Sequence, residues 1–85
     1  MTYTRIGDRN TLREFVSVHS GTEAGSVTEI GNDCALLTQA HVGHNSRVGN
    51  HVVMSHSATL AGHVVVGDYA NIGGLAAVHQ FCQIG

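Results

Sequence analysis

Seven histidines stand among the 85 residues: His19, His41, His44, His51, His56, His63 and His79. Imidazole gains and loses a proton near neutral pH, so histidines held together can move protons, and it is a common zinc ligand as well. Two chemistries follow. One is general-base catalysis of acyl transfer, in which a histidine takes a proton from a hydroxyl; the other is metal binding. No tight Cys/His or His/carboxylate ligand motif accompanies the histidines, so the metal reading is the weaker one. A histidine alone on a surface usually does nothing. What matters is which of them meet, and that depends on the elements that carry them.

Those elements repeat. Every sixth residue from Ile6 to Ile84 is Ile, Leu, Val or Met, with Ala24 the one exception. Four places after each comes a second, smaller position, filled by residues such as Thr28, Cys34, Ala40, Ser46, Val52, Ala58, Val64 and Cys82. Glycine often follows the large apolar residue directly, as at Gly7, Gly31, Gly43, Gly49 and Gly67, which implies a sharp turn or a close approach once per repeat. A six-residue period suits neither a 3.6-residue helix nor a heptad. It suits a short strand and a turn with one large and one small inward side chain, the signature of a parallel β-helix. Three hexads per triangular coil make about 4.7 coils in this length, stacked about 4.8 Å apart around one narrow apolar column. The chain reads as an all-β, single β-helical unit over residues 1–85. A polar loop at about 20–29 (SGTEAGSVTE) is pushed out of the coil.

Residues about eighteen apart stack on successive coils. His44, His63 and His79 then crowd one edge, His41 lies just before it, and His51 and His56 point elsewhere. His19 joins that edge if the loop replaces a hexad's worth of path rather than forming one. Cys34 and Cys82 both take the small inward position, which predicts buried thiols rather than a disulfide, a metal pair or a nucleophile. Free thiols suit a reducing, cytoplasmic compartment. Arg5, Arg9, Arg13 and Arg47 are the only basic residues besides histidine; they read as solvated surface or as an anchor for an acidic partner or phosphate.

Composition closes off other classes. A net charge of −2 and 12% charged residues argue against a general nucleic-acid binder and against a charge-rich disordered chain. No apolar run reaches the roughly 20 residues of a membrane span, and no signal peptide is expected.

The runs IGDRNTLREFVSVHSGT (6–22), AHVGHNSRVGN (40–50), ATLAGHVVVGDYANIGG (58–74) and AVHQFCQIG (77–85) resemble the UDP-N-acetylglucosamine acyltransferases of lipid A biosynthesis. Hexapeptide repeats are shared by many acyltransferases; the His-x-x-His and His-Gln-Phe-Cys segments, in this order, make the resemblance specific. It implies a left-handed parallel β-helix that assembles as a homotrimer in the cytoplasm, with sites between subunits. Left-handedness comes from the resemblance alone and runs against the usual crossover rule. The implied reaction moves a 3-hydroxyacyl group from acyl carrier protein to the glucosamine 3-hydroxyl of UDP-N-acetylglucosamine. No cofactor is implied beyond the phosphopantetheine that carries the acyl chain.

By the same resemblance His44 is the general base, the Gly62 N–H stabilises the oxyanion, and His41, His63, His79 and Gln80 contact substrate. Asn45 follows the base where the family often has aspartate. The preceding coils and the C-terminal helical domain of the family are missing, so a piece of a longer chain is expected. Two alternatives keep the fold: a zinc-dependent hydratase of the carbonic anhydrase type, and a non-catalytic trimerisation scaffold.

Overall fold

The computed structural model describes residues 3–22 and 25–84. Ala24 as an inward position and Gly85 as a hexad boundary lie outside the described residues. The described chain is a left-handed parallel β-helix with no helical segment. Its first coil carries β1 (Tyr3–Ile6), β2 (Thr11–Leu12) and β3 (Ser17–Val18); its second carries β4 (Val27–Ile30), β5 (Ala35–Leu36) and β6 (His41–Val42). The third carries β7 (Arg47–Val48), β8 (Val53–Met54) and β9 (Thr59–Leu60), and the fourth β10 (Val65–Val66), β11 (Asn71–Ile72) and β12 (Ala77–Val78). A fifth coil begins with β13 (Gln83–Ile84).

Three faces result, each a parallel sheet. The first runs β1-β4-β7-β10-β13, the second β2-β5-β8-β11 and the third β3-β6-β9-β12. In each two-residue strand the second residue is the large apolar one and points inward. Leu36, Val42, Val48, Met54 and Leu60 are buried in this way, and the small residues Cys34, Ala40, Val52, Ala58 and Val64 fill the column between them. Burial fades in the first coil: Ile6 is 43% exposed and Leu12 44%, each covered by described residues on one side only.

The turns explain the hexad. The third turn residue adopts a left-handed conformation at Arg9, Phe15, Asp33, Gln39, Asn45, His51, Ser57, His63, Tyr69, Leu75 and Phe81. None of these is β-branched, the class for which that region is most strained. The small inward residue then closes the turn, as where Ala40 N–H donates to the Leu37 carbonyl at 3.0 Å and Ala58 N–H to Ser55 at 3.1 Å. The recurrent glycines do not make these bends. Gly31 and Gly49 sit where a β-carbon would press on the next coil's backbone, 2.6 Å from the Gly49 carbonyl oxygen and 2.9 Å from the Asp68 nitrogen respectively. Of the two roles open to the repeated glycine, close approach is the one the structure shows at these positions.

The loop is shorter than its polar composition suggests. Val27–Ile30 is strand β4, paired in register with β1 through Thr4↔Thr28 and Ile6↔Ile30. Polar Thr28 and Glu29 hide it in the sequence, but Thr28 is buried and accepts a hydrogen bond from the Asn45 N–H at 2.7 Å. Leu12 pairs Leu36 and Val18 pairs Val42, twenty-four residues on, whereas later coils repeat at eighteen. The loop is therefore one added hexad.

A second correction concerns the thiols. Cys34 is buried, but Cys82 is exposed, its inward place uncovered by any further coil among the described residues.

Candidate functional site

The corner joining the third face to the first gathers most of the histidines. It is built by the turns Gly43–Ser46, Ala61–Val64 and His79–Cys82, and by the start of the 19–26 loop. Because the loop adds one hexad, His19 falls on this corner too, and its ring meets His41 edge-on with centroids 4.5 Å apart. His41 lies on β6 with its side chain outward. Its Nδ1 is 2.6 Å from Ser17 Oγ on the neighbouring strand β3. Burial, and then the proximity of His19, hold the His41 imidazole below its ordinary pKa, favouring the neutral ring.

His44 and Gly62 occupy equivalent places in consecutive turns. A β-carbon at Gly62 would lie 2.8 Å from His44 Nδ1 and closer still to other ring atoms, so the imidazole lies where a side chain would otherwise be. His44 Nδ1 is buried and lacks a hydrogen-bond partner among the described residues. The Gly62 N–H donates to no backbone carbonyl among them. Glycine at 62 thus serves the ring of His44 directly, which the sequence reading did not foresee.

His63 stands on the other side. It meets His44 edge-on at 5.2 Å, stacks on Phe81 at 5.0 Å, and donates its backbone N–H to the His44 carbonyl at 2.9 Å. Its ring borders a cavity of about 360 Å³ lined also by Val27, Asn45, Arg47, Val65 and Phe81. Asn45 turns away from its neighbour His44: its Oδ1 accepts from the Thr22 N–H at 3.1 Å, and its Nδ2 points at His63 Nε2, 3.4 Å away.

His79 and Gln80 are on the same corner one coil further, both exposed, and make no side-chain hydrogen bond or ring contact among the described residues. His51 and His56 are on the other two corners; His51 stacks on Tyr69 at 4.7 Å. Arg5 and Arg47 flank Glu29 at 3.6 and 3.4 Å, Arg9 pairs with Asp33 and Arg13 with Glu14, so each arginine has an acidic neighbour within the chain. Ser17, Thr22 and Phe81 were not singled out by the sequence. Ser17 stacks with His41 only across the longer first coil, and that spacing is the signal that would have found it. Among the described residues no three His, Cys, Asp or Glu side chains are grouped to hold a metal ion.

No family model matches the chain. It is 51% identical over 51 residues to an acyl-[acyl-carrier-protein]–UDP-N-acetylglucosamine O-acyltransferase of Burkholderia thailandensis, and 52% identical over 51 residues to that of Burkholderia multivorans. These matches cover 59% of this chain and 20% of each relative. The crystal structure of the Francisella novicida UDP-N-acetylglucosamine acyltransferase superposes with a TM-score of 0.95 at 36% identity, over 99% of this chain and 31% of that one. The Arabidopsis enzyme gives 0.97 at 36% identity, over 99% and 29%. The chain spans about a fifth of the curated relatives' length. In sequence and in fold it is similar to one part of the UDP-N-acetylglucosamine acyltransferases.

Proposed function

We propose that this chain carries the catalytic coils of an O-acyltransferase. The enzyme would move a 3-hydroxyacyl group from the phosphopantetheine thioester of acyl carrier protein to the 3-hydroxyl of UDP-N-acetylglucosamine, the first step of lipid A biosynthesis. The observation that carries this reading is His44 lying against Gly62 on consecutive coils, a base beside a backbone N–H with no carbonyl partner among the described residues. His44 takes the proton of the sugar hydroxyl as its oxygen attacks the thioester carbonyl. The Gly62 N–H donates to the oxyanion that forms. Collapse expels the pantetheine sulfur, which receives the proton from the imidazolium. The proton leaves and re-enters through one side chain.

His63 meets the base edge-on, His41 lies on the strand that leads into the same turn, and His79 and Gln80 are exposed on the next coil to meet bound substrate. For the outer nitrogen of His44 to act as base, Nδ1 carries the hydrogen. A cytoplasmic location fits the free thiols of Cys34 and Cys82. The test is incubation with acyl carrier protein bearing a 3-hydroxyacyl chain and with UDP-N-acetylglucosamine, followed by mass spectrometry. The expected product is the O-acylated sugar nucleotide. Release of free fatty acid with the sugar nucleotide unchanged would overturn the proposal.

A further inference from the structure

Asn45 and His63 constrain each other's hydrogens. The Thr22 backbone N–H, a donor only, is 3.1 Å from one end of the Asn45 amide, so that end is the oxygen. The other end is therefore Nδ2, which has hydrogens to give and no lone pair to receive. It faces His63 Nε2 at 3.4 Å and the Thr22 hydroxyl at 3.5 Å. Two donors do not face one another. Nε2 must present its lone pair, and the neutral ring must carry its hydrogen on Nδ1.

Both partners are held in place by more than this contact. The Asn45 N–H donates to buried Thr28 Oγ1 at 2.7 Å, and its backbone is left-handed at φ 59°, a conformation asparagine accepts readily. His63 is pinned between the stacked Phe81 ring and the edge-on His44 ring, with its own N–H on the His44 carbonyl. Among the described residues, the other groups around the ring that bear or can take charge are His44 and Arg47, and neither offers a carboxylate to draw a hydrogen onto Nε2. Glu29, on the adjoining face, is engaged by Arg5 and Arg47.

We infer that Asn45 is a positioning residue: anchored by the loop at Thr22, it fixes His63 as the neutral Nδ1–H tautomer, so that His63 is a hydrogen-bond donor beside His44 and not a second base. Such a donor suits a carbonyl, hydroxyl or phosphate oxygen of a ligand. Its service to an acyl-transfer substrate rests on the function proposed above; the tautomer does not.

The test is nitrogen-15 NMR of the histidine rings in the intact chain at about pH 8, where free histidine is neutral. His63 is expected to show Nδ1 as the principal protonated nitrogen and Nε2 as the bare one, in a ratio of roughly two- to threefold, the weight of a hydrogen bond at the weak end of the range. Asn45→Asp keeps the shape but offers only acceptors, and should reverse the assignment so that Nε2 carries the hydrogen. Thr22→Pro removes the N–H that holds Oδ1; the amide is then free to turn and the ratio should fall toward one. A wild-type ring protonated on Nε2, or one tautomer common to wild type and Asn45→Asp, would overturn the inference. These spectra do not depend on turnover: absence of acyl transfer would count against the enzyme reading and leave the tautomer assignment untouched.

Discussion

Gly62 and His44 share one space: the imidazole of one lies where the side chain of the other would be. The backbone at Gly62 is not left-handed, so alanine is conformationally acceptable there and only the contact is at stake. Gly62→Ala should displace the ring and cost about 1–3 kcal/mol, the usual penalty for overpacking. Gly73, which has open space around it and no left-handed backbone, is the control; Gly73→Ala should be neutral or stabilising by up to about 1 kcal/mol. Denaturant titration of the two variants measures both. Equal stabilities would contradict the packing described here.

The apolar column predicts a gradient of a different kind. Leu36 is fully buried, whereas Leu12, its register partner on the first coil, is 44% exposed. Leu36→Ala should cost about 2–5 kcal/mol and Leu12→Ala clearly less, because a cavity can form only where neighbours enclose the site. Chemical unfolding curves of the two variants, compared with wild type, give the two values. A larger loss at Leu12 would mean that the central coils are not the core.

Much of this architecture was legible because its period is rigid. The apolar residues at Leu36, Met54 and Leu60 recur in step with two-residue strands, so the coil, its three faces and the corner shared by His44, His63 and His79 follow from counting. What the count missed has physical causes. Val27–Ile30 was hidden because Thr28, a polar residue, fills an inward place by accepting the Asn45 N–H. Ser17 was missed because its distance to His41 depends on the length of a loop that sequence spacing leaves open. Glycine phase pointed to close approach or bending, and only the backbone angles separate the two: the bends sit on residues such as Asn45 and His63. Cys82 is exposed because burial at an inward position requires a coil on each side.

The pH dependence of stability follows from His41. Its folded pKa lies below the unfolded value of about 6.5, chiefly through burial, so the unfolded chain takes up its proton first as the solution is acidified. The contribution is complete above about pH 6.5 and is lost as pH falls from there through the lower folded value. Thermal melts should therefore show a lower midpoint at pH 5.5 than at about pH 7.5, and His41→Asn should reduce that difference. An undiminished difference in the variant would assign the effect elsewhere.

Ser17 and His41 offer a separate prediction. Removing the hydroxyl 2.6 Å from Nδ1 frees the ring to turn, so Ser17→Ala should slow acyl transfer several-fold while Ser17→Thr, which restores a hydroxyl, should recover most of it. Steady-state kinetics of both variants provide the check. Equal rates in all three proteins would remove Ser17 from the site.

The base proposed for the acyl transfer, His44, is tested by the rate of transfer from acyl carrier protein to UDP-N-acetylglucosamine by the wild-type chain and by His44→Ala, both first shown to be folded. A loss of about 10²- to 10⁴-fold is expected, the size of a general-base contribution. A His44→Ala rate equal to wild type would show that His44 is not the base.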